Sequence, residues 1–311
     1  MRALVVNPQQ QLEPGEVPEP QLHDGDLLVQ VKAAGVNRAD LLQRVGRYPP
    51  PPGEPEIIGL EIAGEVLEPA ARRGERIMAL LAGGGYAERA RVPAAQAMPV
   101  PRGLDFAQAA AIPEAYLTAW LNVFMIAQLK PGENVVVHAG ASGVGSAALQ
   151  LCHGVAGTLL ATSSNGKEAA CRSFGATQWL ARDEVPHRLA QAIQADVILD
   201  TVGAAYLEAN ISALRLHGRL CCISTMSGAK ATLDMGLLLY KRLSILGSTL
   251  RSRTAAQKAK LVRDFSEKAL PRFDQGELKP VLAKTFPFAQ AMSAHDALQK
   301  GEVVGKIVLV P

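Results

Sequence analysis

The stretch VHAGASGVGSAA, residues 137–148, narrows the choice of fold more than any other part of the chain. It follows the strand-like ENVVV and precedes SAALQLCHGVAG, whose composition suits a helix. Gly140, Gly143 and Gly145 at such a handover let the backbone turn sharply and approach a ligand closely. The helix N-terminus then offers unpaired N–H groups to a pyrophosphate. GVGSAA fits the G-x-G-x-x-A form of a dinucleotide-binding turn, with Val144 between two glycines and Gly140 opening the bend. Ser142 either gives its hydroxyl to a phosphate or caps the helix.

The surroundings supply the context that a lone glycine motif lacks. From about residue 116 to 252, ENVVVHA, GTLLATS, QWLA, ADVILDTVG, RLCCIST and LSILGST alternate with helical segments or glycines. Runs of Val, Ile and Leu without polar alternation predict a parallel sheet covered on both faces, a doubly wound α/β domain. The first third reads differently. RALVV, DLLVQVKAAGV, IIGLEIAGEVL and ERIMALL are short strands of a mainly β domain, and YPPPPGEP is a surface loop because its prolines lack N–H donors. The tail has two amphipathic helices, AAQKAKLVRDFSEKALPRF and FAQAMSAHDALQKG, then the strand VVGKIVLV. At 311 residues two domains are expected, residues 1–115 with 253–311 and an inserted 116–252.

The second strand of a dinucleotide domain ends near the adenosine ribose, where an acidic side chain would hold the ribose hydroxyls and repel a 2′-phosphate. Here the sequence reads ATSSNGKEAAC, with Ser163, Ser164 and Lys167 and no carboxylate at the strand end. That favours NADPH, and Arg182 after the next strand is placed to close the same pocket.

Composition removes other classes of function. A formal charge of +3 with no long single-sign block, and only 5% aromatic residues, argue against nucleic acid and against a charged membrane surface. RALVV after Met1 has no secretory pattern, and LLVQVKAAGV is too short to span a bilayer. Cys152, Cys171, Cys221 and Cys222 form no CxxC, so free thiols in a reducing, cytoplasmic setting are expected.

Taken with AAGVNRADLLQRVGRYPPPPG, IIGLEIAGEV, AAAIPEAYLTAW, ILGSTLRSR and VGKIVL, the glycine turn makes the chain resemble the zinc-independent quinone oxidoreductases of the medium-chain dehydrogenase/reductase superfamily. It is especially similar to the branch containing the p53-inducible quinone oxidoreductase. The resemblance implies a GroES-like β domain with an inserted Rossmann domain, NADPH as cofactor, and a homodimer reducing a quinone in the cleft between domains. It places Asn37 and Tyr48 beside the nicotinamide and substrate as candidate catalytic residues, and Lys167 at the 2′-phosphate. Arg182 stands where relatives often have tyrosine. Ser224, Leu250, Arg251 and Arg253 resemble family loops on the cofactor side, and GKIVL at 305–309 lies near the cofactor or the domain interface. Zinc-dependent relatives carry cysteine at the position of Asn37 and histidine at that of Leu60, before Glu61. Asparagine and leucine replace neither ligand, so no metal is expected. Reduction of an activated C=C bond in an enone, and a cofactor-binding structural role with little turnover, stay open, as does transfer of one or two electrons.

Overall fold

The computed structural model describes all 311 residues, and the chain divides into two compact units. Met1–Leu117 and Leu250–Pro311 make the first, and Thr118–Thr249 the second. Leu250 and Arg251 thus fall in the first unit, where Arg251 bonds the carbonyl oxygens of Tyr48 and Ala82.

The first unit is mainly β. Strands β1 (Arg2–Val6) and β2 (Leu12–Glu16) form an antiparallel hairpin. A seven-stranded sheet is built from β3 (Asp26–Val36), β4 (Glu61–Glu68), β5 (Arg76–Leu80), β6 (Arg89–Pro93), β7 (Ala97–Pro99), β14 (Leu282–Pro287) and β15 (Lys306–Val310). Its order is β14-β15-β3-β4-β5-β7, with β6 also on β3. The long β3 alternates inward Leu27, Val29 and Val31 with half-exposed neighbours, then is buried from Ala33 to Val36. These side chains share a core with Ile62, Ile77, Tyr86, Ile307 and Leu309. Two neighbours of β3 then converge at its end. Ile307 pairs with Val36 and Ile62 with Ala34, so Lys306 and Glu61 start their strands beside Asn37.

The second unit carries β8 (Val135–Val137), β9 (Leu159–Ser163), β10 (Gln178–Ala181), β11 (Ala195–Asp200), β12 (Leu214–Cys222) and β13 (Ser244–Gly247). All their pairings are parallel, in the order β10-β9-β8-β11-β12-β13. The sheet therefore reverses direction of growth at β8 and β11, as in a doubly wound Rossmann domain, and ligands bind beyond the strand ends at such a switch. Val136, Leu160, Ile198 and Leu220 form its core with Leu189, Tyr206 and Ile211 from the covering segments. The helical run that leads into this unit is α-helical at Pro113–Trp120 and then winds as a π-helix over Leu121–Ile126. The apolar stretch Phe106–Ile126 has the length of a membrane span, yet 78% of an 18-residue window within it is buried inside the fold.

Gly35 tests the packing at the end of β3. A Cβ there would overlap Glu61 Oε1 and lie 2.6 Å from the carbonyl oxygen of Ala110, which belongs to backbone and cannot rotate away. Gly35→Ala is expected to lower unfolding stability by about 1–3 kcal/mol, read from urea or thermal denaturation, as overpacked sites do.

Candidate functional site

Asn37 follows β3 directly and precedes the helix Arg38–Arg44, whose first turn supplies Asp40. The Asp40 carboxylate accepts the Asn37 backbone N–H at 2.7 Å and the Tyr86 hydroxyl at 3.0 Å. Tyr86 in turn lies 3.3 Å from His295 Nε2. The Asn37 side chain points elsewhere. Its Nδ2 donates to Glu61 Oε1 at 2.9 Å, and its Oδ1 accepts from Lys306 Nζ at 2.6 Å. Lys306 closes the ring with a 2.6 Å ion pair to the same Glu61 oxygen and a 2.9 Å bond to the Val36 carbonyl. Glu61 Oε2 accepts the backbone N–H of Glu114, at the start of the helix Pro113–Trp120. Both side chains of the ion pair are buried, Lys306 at 6% and Glu61 at 0% exposure, so solvent screens it little.

Two more carboxyls surround this pair. Burial pushes Asp40 up to about 7, against the opposing pull of the Asn37 N–H and of Lys306. Glu114 rises to about 8, first through burial and then through the charge of Glu61. His295 falls to about 4, through burial and then the nearby Arg44 charge, so it is neutral near pH 7.

Tyr48 is half-buried. The Arg251 guanidinium lies 5.3 Å from its ring centroid and donates to its carbonyl oxygen at 3.1 Å and to that of Ala82 at 2.7 Å. Arg251 is only 4% exposed, whereas Ser252 beside it is exposed. Burial raises the Tyr48 hydroxyl pKa, with a further push from Glu114. Leu250 is buried in the same unit, and Arg253 Nε is buried without a hydrogen-bond partner.

In the second unit the glycine turn joins β8 to the helix Gly143–Cys152. Ser142 is its N-cap, its Oγ accepting the Gly145 N–H at 3.0 Å, a bond that does not use its own O–H. The first helical amides, of Gly143 and Val144, have no acceptor within the helix. Ala139 takes a positive φ of 50°, and a Cβ on Gly145 would overlap the Ala139 carbonyl and sit 2.7 Å from Gly140 Cα. The turn is therefore as tight as a backbone-lined phosphate cradle requires. Below it His138 bonds Thr162 Oγ1 at 2.9 Å and Asn210 Oδ1 at 2.7 Å, and Asn210 reaches Asp200, tying the ends of β8, β9 and β11 together.

The residues expected at the ribose separate into two kinds. Ser163 is buried, its hydroxyl donating to the Ser164 carbonyl and accepting the Trp179 indole N–H at 2.9 Å. It clasps β9 to β10, while Ser164 and Lys167 are partly exposed. Lys167 precedes the helix Glu168–Ser173 as its N-cap residue. Arg182 is exposed and paired with Asp183 at 3.3 Å, rather than turned into an enclosed pocket. Ser224 is partly exposed just beyond β12.

Sequence reading missed Lys306, Asp40, Glu114 and Tyr86 as parts of one network. A signal existed for Lys306. A lysine inside VVGKIVLV, apolar on both faces, has to find a carboxylate partner if the strand is buried.

Comparison with known proteins agrees with this architecture. Residues 23–102 match the alcohol dehydrogenase GroES-like domain family, and residues 174–309 the zinc-binding dehydrogenase family. The quinone oxidoreductase from Thermus thermophilus, solved also in complex with NADPH, superposes with a TM-score of 0.84 at 33% identity, covering 100% of both chains. Mycobacterial Rv1454c, solved with NADPH, gives a TM-score of 0.88 at 26% identity over 100% of both chains. The mouse (Mus musculus) synaptic vesicle membrane protein VAT-1 homolog is 29% identical over 313 residues, which is 92% of this chain and 77% of that protein. The zinc in one family's description does not fit the residues here. No group of three or more His, Cys, Asp or Glu side chains is placed to hold a metal. Leu60 is buried and apolar, and the oxygens of Val36, Asn37 and Glu61 are already gathered around an ammonium.

Asp40 gives the network a measurable pH signature. Its pKa is near 3.8 when unfolded and about 7 when folded, so the folded state favours the protonated form. The associated stability is full below pH 4 and is lost as pH rises through 7. Asp40→Asn removes this titration, so the decline in unfolding free energy between about pH 4 and 7 is expected to flatten in urea titrations. An unchanged slope would remove Asp40 as its source.

Proposed function

The chain belongs to the medium-chain dehydrogenase/reductase superfamily, and from that premise we propose that it is an NADPH-dependent oxidoreductase that reduces quinones without zinc. The observation that carries this reading is the side chain of Asn37, held between Lys306 and Glu61 where zinc relatives carry a cysteine. It presents a hydrogen-bond donor, not a Lewis acid. NADPH, when bound, supplies the hydride. A quinone suits a site of this kind because the incoming charge spreads over its oxygens, and donors such as Asn37 Nδ2 and the Tyr48 hydroxyl stabilise it in place. In the nucleotide unit, the backbone N–H groups of Gly143 and Val144 would meet the pyrophosphate, while Gly140, Ser142 and Gly145, whose own amides are already bonded, shape the cradle. Ser164 and Lys167 would take the 2′-phosphate, with Ser163 shaping the strand end, Arg182 at the pocket's rim, and Ser224 supplying a further cofactor-side contact.

One observation favours a second reading, reduction of an enone C=C bond. Burial holds Glu114 protonated up to about pH 8, and its electrostatic influence, once ionised, reaches Tyr48, so this unit carries a buried acid of the kind that protonates an enolate carbon, a step that quinone reduction does not need. Within the first reading we also place the protein in the cytoplasm, supported by four free thiols, and as a homodimer. The dimer is supported by β13, an open sheet edge, and by Leu239 and Tyr240 near it, each 80% exposed.

The test is parallel oxidation of NADPH and NADH with an ortho-quinone and a simple enone, with and without oxygen. NADPH with the quinone is expected to be fastest, and superoxide yield separates one-electron from two-electron transfer. Faster enone saturation moves the assignment to the second reading, and cofactor binding without turnover moves it to a binding protein. Lys167→Ala is expected to raise KM for NADPH about tenfold or more and leave that for NADH nearly unchanged, as loss of a charged hydrogen bond does. Leu239→Lys with Tyr240→Lys is expected to shift the mass measured by light scattering from dimer to monomer.

A further inference from the structure

We infer that Lys306 is a positioning residue, a built-in cation that locks the Asn37 amide and strengthens its free N–H as the donor to the substrate. The inference rests on the reading of Asn37 as a substrate-side contact. Its geometry is independent of that reading. An ammonium has three donors and no acceptor, and here all three are used: on Val36 O, Asn37 Oδ1 and Glu61 Oε1. The amide can therefore face Lys306 only with its oxygen, because a flipped group would set N–H against N–H. Glu61 enforces the same choice from the other side by accepting Nδ2–H. Glu61 itself cannot swing, since its second oxygen holds the Glu114 N–H and Gly35 leaves it no more than the space it fills. The Asn37 main chain is pinned separately by Asp40.

Nδ2 has two hydrogens, and Glu61 uses one. The other belongs to a partly exposed side chain and is the group left to meet an acceptor oxygen. A positive charge on Oδ1 draws electron density through the amide and makes that remaining N–H a stronger donor. Lys306 thus supplies by induction part of what a metal supplies by direct coordination. The other charged groups facing Lys306 are Asp40 and Glu114, and neither touches its ammonium.

The experiment compares wild type with Lys306→Ala, assayed with NADPH and the quinone, alone and with added methylammonium or tetramethylammonium. Misplacing a donor by an ångström is costly, so kcat is expected to fall about tenfold or more while NADPH affinity, read by fluorescence, stays within about twofold. Methylammonium should restore activity saturably, and tetramethylammonium, which has charge but no N–H, should not. Equal rescue by both, or a folded variant with wild-type kcat, overturns the proposal. If Lys306→Ala does not fold, the neutral pair Lys306→Met with Glu61→Gln replaces it, with the same kcat loss expected and wild-type kcat overturning. If wild type reduces neither quinone nor enone, the functional reading fails by itself. The lock is then read from the Asn37 side-chain amide in selectively 15N-labelled protein. A resonance moved by Lys306→Ala supports it, and an unmoved one sinks it.

Discussion

The ion pair between Lys306 and Glu61 is the interaction on which the first unit's organisation depends. Both groups are buried, and removing either would leave a charge with no water to solvate it. Such a pair adds little net stability, since desolvation offsets most of the attraction. Its effect is on register. Lys306 opens β15, Glu61 opens β4, and both strands pair with β3 near its end. Sliding either strand by one residue would turn its charge to the opposite face and strand the other. The pair therefore selects one alignment of three strands, and that alignment brings Asn37 to their common end.

One ammonium cannot balance three carboxyls. Glu61 takes it by direct contact, and Asp40 and Glu114 meet the remaining demand by holding protons, up to about 7 and about 8. The site is consequently closest to neutral on the acid side of pH 7 and gains negative charge as pH rises through about 7 and about 8. A reaction that places electrons on a bound acceptor is disfavoured by nearby anions, so the proposed reductase is expected to work better on the acid side of this transition. The same protons make the network a potential donor, which is why the enone reading remains chemically reasonable beside the quinone one.

Legibility in the sequence followed the range of the forces involved. DLLVQVKAAGV could be read as a strand to the residue because its alternation is local, and the β8 turn could be read because glycine spacing is local. β14, with exposed Lys284 and Thr285, has no such pattern; its pairing with β15 makes it a strand. The π-helical turn after Trp120 likewise has no local mark. At the site, Asn37 and Tyr48 came from resemblance, while their supports lay far along the chain. Lys306 is 269 residues from Asn37, and Arg251 is 203 from Tyr48. Ser163 shows the converse. Its hydroxyl looked available by position, and only the Trp179 indole, brought over by β10, reveals that it is taken.

Those two distances share a cause. The chain leaves the first unit after Leu117, builds the nucleotide unit, and returns at Leu250. Both residues proposed to face substrate lie before the excursion, and both cations that fix them, Arg251 and Lys306, lie after it. The N-terminal segment alone would hold Asn37 beside Glu61 with no cation to set its amide, and Tyr48 with no guanidinium on its carbonyl. Completion of the site thus waits on the return of the chain. In this arrangement the inserted domain cannot be lost together with the tail without dismantling the substrate-facing groups. The short terminal strand KIVLV, apart from its first residue, is ordinary core; that one lysine ties the end of the chain to the proposed chemistry at its beginning.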